Sequence, residues 1–363
     1  MKINLTQGNL AKVLNTVSRV ASSRTTLPVL SNILIRAELN EVSFSATNME
    51  LSIIEKTNVK IDEDGTIVVP ARLITEFVSN LPKSNITIES KGTQVNITAG
   101  NYKSTIYTVS TDEFPALPEP VMTNGFKINA SDLKQAINNT VLVASGDTTR
   151  PILTGVYFYT IDSKLFLAAT DGYRLAEKQV VDCDNKVSAI IPASTLTEVV
   201  RILGDNNETV DISFEEDQTS FTIENVTIIS RTIEGNFIDY RQLIPKNTDV
   251  KIIVDRNEFI RAVKVSELFA RESAGSITLS ASSEKSTLSI HTITTQIGEN
   301  NSDMEAEVTG DGTVTLNSKF LLDALNQIDG DNVKMQFSGK LAPVLLTSEK
   351  SDSYKHIIMP VKS

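Results

Sequence analysis

The stretch INLTQGNLAKVLNTVSRVASSRTTLPVLSNILI (3–35) returns as INASDLKQAINNTVLVASGDTTRPILTGVYF (128–158). Each reads as a strand, an amphipathic helix, Val-Ala-Ser, a polar loop, a proline and a β-rich strand. Ala21 and Ala144, Pro28 and Pro151, and Thr47 and Thr170 all lie 123 residues apart. Further on, VVPARLITEFVSNLP (68–82) matches IIPASTLTEVVRILG (190–204). A third, more divergent copy is visible in KIIVDRNEFIRAVKVSELFARES (251–273) and VTLNSKFLLDALNQIDG (314–330). A fixed period is the signature of a repeated structural unit. The chain therefore reads as three units, 1–122, 123–247 and 248–363.

Within each unit the pattern is β-α-β-β-β, twice. Alternation such as SNITIES, TQVNITAG and SFTIENVTIIS predicts antiparallel strands with one buried face. The expected fold class is α+β, with two helices packed on antiparallel sheet in each unit. Helical spacing predicts buried stripes of Leu10, Val13, Leu14 and Val17; of Leu133, Ile137, Val141 and Ala144; of Leu196, Val199, Val200 and Leu203; and of Phe259, Ala262 and Val263.

With 363 residues the chain suits two or three domains. No apolar run approaches the roughly 18 residues of a membrane helix. MKINLTQGNL lacks a signal-peptide core. One cysteine, Cys183, excludes an internal disulfide framework and fits a reducing cytoplasm. Cys183, His291 and His356 make no zinc spacing, and neither a metal nor a cofactor is expected. Walker A, G-x-S-x-G and H-E-x-x-H motifs are absent from the sequence.

A net charge of −11 argues against nucleic acid unless the charge is segregated. The six helical segments (7–20, 70–81, 131–144, 192–203, 255–271, 317–328) sum to +3, leaving −14 elsewhere. That excess is small. It allows either mixed solvated faces or helices that face phosphates.

The hairpin AATDGYRLA (168–176) stands apart. Its copy-one counterpart, SATNMELSI, has Asn48-Met49-Glu50 where copy two has Asp171-Gly172-Tyr173. An aromatic, a cation and an aliphatic at one turn suit a catalytic carboxylate loop, a ligand pocket or an ordinary hairpin. Asp171 has no histidine or lysine beside it in sequence, which favours a turn carboxylate over a general base.

Taken together, RTTLPVLSNILI (24–35), VPARLITEFVSNLP (69–82), DEFPALP (112–118), AATDGYRLA, EGNFIDYRQLIPKN (234–247) and HIIMPVKS (356–363) run in one order from end to end. In these stretches the chain resembles the bacterial β sliding clamp family, the processivity subunits of DNA polymerase III. The resemblance implies a non-enzymatic, head-to-tail homodimer whose six domains form a ring around double-stranded DNA, with helices inside. It implies sequence-independent DNA contact and a cytoplasmic, nucleoid-associated protein.

DNA-facing residues by this resemblance are Lys12, Arg24, Arg72, Lys134, Arg150, Arg201 and Lys264. A partner-peptide pocket between the second and third domains maps onto Leu153, Thr170, Gly172, Tyr173, Arg174, Leu175, Ile238, Gln242, Leu243, Pro343, Ile357, Met359, Pro360 and Val361. Its implied partners are the replicative polymerase catalytic subunit, a clamp loader, and other polymerases and repair factors carrying short hydrophobic motifs. The dimer seam maps onto Ile106 facing Leu268 and Phe269. Three departures are Ile238, where the family has proline, Ala193-Ser194, where it often has basic residues, and Ser104, where it has an aromatic.

Overall fold

The computed structural model describes residues 1–21, 27–120, 125–204, 208–245, 247–294 and 298–361. Copy one contributes β1 (Lys2–Thr6), α1 (Gln7–Val17), β2 (Asn32–Glu38), β3 (Glu41–Thr47), β4 (Leu51–Asn58), β5 (Lys60–Glu63), β6 (Gly65–Pro70), α2 (Ala71–Ser79), β7 (Asn85–Lys91), β8 (Gln94–Ala99) and β9 (Tyr102–Tyr107). Copy two contributes β10 (Phe126–Asn129), α3 (Ala130–Val141), β11 (Gly155–Ile161), β12 (Lys164–Thr170), β13 (Arg174–Asp182), β14 (Ser188–Pro192), α4 (Ala193–Ile202), β15 (Thr209–Phe214), β16 (Gln218–Ile223) and β17 (Val226–Arg231). Copy three contributes β18 (Val250–Asp255), α5 (Arg256–Phe269), β19 (Ser276–Ser282), β20 (Thr287–Thr294), β21 (Gly298–Thr309), β22 (Gly312–Asn317), α6 (Ser318–Gln327), β23 (Asn332–Phe337), β24 (Val344–Ser348) and β25 (Tyr354–Ile358).

Local chemistry sets these elements. Thr6 caps α1 by accepting from the Asn9 amide, and Asp255 caps α5 through the Glu258 amide. Asn317 caps α6 by accepting from the Lys319 and Phe320 amides. The stripe Leu10, Val13, Leu14 and Val17 is buried, as are Leu133, Ile137, Leu196, Val199, Leu203, Phe259, Ala262 and Val263. Val141, Ala144 and Val200 are only half-buried. The helices are shorter than their apolar patterns. α1 stops at Val17: its C-cap Ser18 still donates to the Leu14 carbonyl, and the chain then tightens into a turn in which the Val20 amide donates to the Val17 carbonyl and Val20 is buried.

The chain forms two compact units. One is 1–131 with 198–232; the other is 132–197 with 233–363. In the first, an antiparallel sheet runs β5-β1-β7-β8-β9 and a second runs β10-β15-β16-β17-β4-β3-β2-β6. The second unit holds one sheet, β14-β11-β12-β13-β25-β24-β23-β18-β21-β20-β19-β22.

Two strand junctions join successive copies: β17 on β4, and β25 on β13. Residue rows crossing them are equivalent. In the first unit a row runs Lys127, Asp211, Thr222, Thr227, Ile54, Ser45, Leu34, Val68. In the second it runs Ile253, Lys334, Thr347, Lys355, Glu177, Ala168, Tyr157, Ile190. Two half-rows remain. Asn4, Thr87, Thr98 and Lys103 end on β9; Thr315, Thr278, His291 and Asn301 end on β21.

Candidate functional site

The hairpin after β12 is an Asx turn. The Asp171 carboxylate accepts from the amides of Tyr173 (2.8 Å) and Arg174 (3.0 Å), and Gly172 supplies a φ of +94°. Copy one builds the same turn: Asn48 Oδ1 accepts from the amides of Glu50 and Leu51, and Met49 takes a φ of 78°. The turn is scaffold common to both copies. Asp171 is a structural carboxylate, and its second oxygen accepts from Arg174 Nε at 3.0 Å.

Arg174 itself is nearly buried. Its Nη1 donates to Asp323 on α6 at 2.6 Å, its Nη2 donates to the Leu142 carbonyl at 2.9 Å, and its guanidinium lies 4.4 Å over the Phe320 ring. The planar fork suits three acceptors held in different directions. Asp323, Phe320 and the Leu142 carbonyl carried no motif in the sequence, because all are distant from Arg174 along the chain.

Beside this turn, β13 pairs with β25, setting Leu175 against Ile357 and Arg174 against Ile358. The chain then leaves the sheet. The Met359 amide donates to the Tyr173 carbonyl at 2.8 Å, and the Val361 amide donates to the Thr315 carbonyl at 2.9 Å. Leu153, Thr170, Leu175 and Ile357 are buried. Pro343, Met359, Pro360 and Val361 are half-buried. Tyr173, Ile238 and Leu243 are exposed, at 65, 48 and 44 %, and Gly172 and Gln242 are exposed too. The expected pocket residues thus fall into buried, half-buried and exposed groups.

Ile238, Gln242 and Leu243 belong to the loop 233–245. Gly235 lies at a φ of +126°, where a Cβ would come 2.8 Å from Ile152 Cδ1. Phe237 stacks on Tyr157 at 5.0 Å, and Tyr157 stacks on Tyr159 at 4.9 Å. The buried Tyr240 hydroxyl donates to Glu177 Oε2 at 2.6 Å. Burial alone would raise the Glu177 pKa, but Tyr240, Lys355 and Tyr159 outweigh it and hold the carboxyl below its ordinary range. Burial and the Glu177 charge push Tyr159 up to about 12. His356, on β25, is fully buried; burial, aided by the Arg174 charge, pushes its pKa down to about 3. Its Nδ1 shares a 2.8 Å hydrogen bond with the Tyr354 hydroxyl.

The basic residues are dispersed. Lys12, Arg72, Arg150, Arg201 and Lys264 are exposed, and Lys134 is half-buried. Arg72 pairs with Glu76 at 2.8 Å, Arg150 with Asp147 at 3.0 Å, and Arg201 with Glu198. Arg24 lies outside the described residues. At the other expected site, Ile106 is buried on β9, Phe269 is half-buried, and Leu268 is 54 % exposed. Among the described residues there is no cluster of three or more His, Cys, Asp or Glu able to hold a metal, and no helix is long and apolar enough to cross a membrane.

Three family models match in succession: the DNA polymerase III β subunit N-terminal domain over residues 1–118, the central domain over 127–239 and the C-terminal domain over 241–362. The chain belongs to the DNA polymerase III β subunit family, the β sliding clamps. A β sliding clamp from Staphylococcus aureus is 32 % identical, over 96 % of each chain. The crystal structure of the Bacillus subtilis sliding clamp superposes with a TM-score of 0.97 at 32 % identity, covering 100 % of this chain and 99 % of that one. A Bartonella birtlesii clamp, solved bound to griselimycin, superposes with a TM-score of 0.94 at 28 % identity, covering both chains fully. This sliding clamp is a non-catalytic processivity factor of DNA polymerase III, built from three clamp domains.

Proposed function

We propose that this clamp works as a head-to-tail homodimer, a six-domain ring that encircles duplex DNA and tethers polymerases to it. The domains are 1–122, 123–247 and 248–363. One observation carries the reading: two of three equivalent strand junctions are made within the chain, and the third is left as two complementary edges. The outer edge of β9 and the Gly298–Glu305 part of β21 each lack a second strand among the described residues. An unpaired edge is a template for another chain. A second copy supplies it, and heterologous contacts close when the rotation per step fits a ring.

The equivalent rows support one register for that seam. Lys103 stands where Thr227 and Lys355 stand, and Asn301 where Ile54 and Glu177 stand. Lys103 therefore faces Asn301 of the partner subunit. On β21, Glu299 and Asp303 share a face with Asn301, so the cation meets acidic neighbours diagonally. A one-residue slip would reverse every side chain. Lys103→Cys combined with Asn301→Cys is expected to give an oxidised covalent dimer, whereas Lys103→Cys with Asn300→Cys is not. The converse pattern would refute the register.

The floor of Leu153, Leu175 and Ile357, with Tyr173, Ile238 and Leu243 around it, suits a short hydrophobic motif. Met359 adds an adaptable contact. We assign this surface to the replicative polymerase catalytic subunit, the clamp loader and other polymerases and repair factors. Griselimycin, bound by the Bartonella clamp, is expected to compete for this clamp too. Lys12, Arg24, Arg72, Lys134, Arg150, Arg201 and Lys264 face DNA in this reading. Such loose phosphate contact permits sliding where base readout would not. The clamp acts in the cytoplasm, on the nucleoid.

A further inference from the structure

We infer that Glu177 is a positioning residue for partner binding, one carboxylate that ties together the three segments around the proposed pocket; the inference rests on that pocket reading. Glu177 is 4 % exposed. It lies on β13, the strand that begins at Arg174 and Leu175. Its Oε2 accepts from the Tyr240 hydroxyl at 2.6 Å and the Tyr159 hydroxyl at 2.9 Å; its Oε1 accepts from Lys355 Nζ at 2.9 Å. Tyr240 belongs to the loop that presents Ile238, Gln242 and Leu243. Lys355 belongs to β25, which leads into Met359, Pro360 and Val361.

The repeat provides an internal control. At the β17/β4 junction, where copy two meets copy one, the positions of Glu177, Lys355, Tyr157, Tyr159 and Phe166 hold Ile54, Thr227, Leu34, Arg36 and Ser43. Aligning Phe114 with Phe237 puts Leu117 at the place of Tyr240. That junction folds with an apolar residue and a threonine where the β25/β13 junction holds a charge pair with a buried carboxylate, and the space over them is a cavity of about 640 Å³ lined by these six residues among others. The clamp repeat therefore does not need the carboxylate. In copy two the same space is filled by stacked rings, Tyr159 on Phe166 at 5.4 Å among them, and the loop is drawn onto the sheet.

Burying an ionised carboxylate is costly unless its acceptor sites are filled. Tyr159 fills one site from β11, and the other fillers come from the loop and from β25, so the charge is fully satisfied only when both are seated. Holding the loop in one place spares an incoming peptide the cost of ordering it. Tyr240→Phe keeps the ring and removes only the hydroxyl; Glu177→Gln keeps the shape and removes the charge.

The test measures affinity for the purified replicative polymerase catalytic subunit by surface plasmon resonance, using the full chain. Both variants are expected to bind about tenfold more weakly, the loss that follows if the seated loop falls to about a tenth of the population. Amides in 236–244 should exchange faster. Val333→Ala, a buried change on β23 expected to lower the melting temperature, is the control and should bind as the parent does. Wild-type affinity in Tyr240→Phe, or equal weakening in Val333→Ala, would overturn the inference. A chain ending at Ile358 separates the two levels. If that truncation binds normally, the pocket reading fails; if it loses binding while Tyr240→Phe does not, only the role of Glu177 fails.

Discussion

Arg174 is one of the residues that distinguish the second copy from its sister. Its guanidinium spends donors on Asp171, Asp323 and the Leu142 carbonyl. It therefore braces the turn from which Tyr173 projects. Lysine's three donors radiate from one nitrogen and cannot reach acceptors set around Nε, Nη1 and Nη2 of a planar fork. Arg174→Lys is expected to lose about 1.5–3 kcal/mol of stability, the range for hydrogen bonds to charged groups. Chemical denaturation measures the stability loss; polymerase binding should fall with it. His356 sets a second residue-scale expectation. The unfolded chain takes up a proton in the ordinary histidine range, whereas the folded chain resists down to about 3. Stability from neutral His356 is thus complete above pH 6.5 and is lost as pH falls toward 3. His356→Asn should flatten that acid limb in denaturant midpoints taken from pH 7 to 4; an unchanged slope would exclude His356 as its source.

Among elements, the helix stripes were legible because burial repeats with the helical period, and Leu10, Val13, Leu14 and Val17 required nothing beyond the sequence. Helix ends were less so, since a cap such as Ser18 depends on backbone geometry. The tie at Glu177 was not legible: Tyr240 lies 63 residues away and Lys355 lies 178 away. Strand edges obey the same logic, because periodicity identifies β9 and β21 but cannot say that their edges are left over. Leu268, near the end of α5, is 54 % exposed in the single chain and belongs to the expected seam. Leu268→Asp should leave the protomer folded and convert the dimer to monomers in sedimentation equilibrium, because the seam would then bury an unpaired charge. A particle still at twice 39.7 kDa would remove Leu268 from the seam.

For the whole molecule, a net charge of −11 sits with a role on DNA when topology takes the place of tight affinity. Exposed cations such as Arg72 and Arg150 are already paired with neighbouring acids, so their pull on phosphate is modest. A closed ring needs no tight contact, and a tethered polymerase gains effective concentration instead. The decisive measurement is retention on DNA after loading onto a circular nicked plasmid, followed by gel filtration at high salt. The clamp is predicted to stay with the circle and to be lost when a restriction enzyme linearises it. Equal retention on circular and linear DNA, or none on either, would contradict the ring.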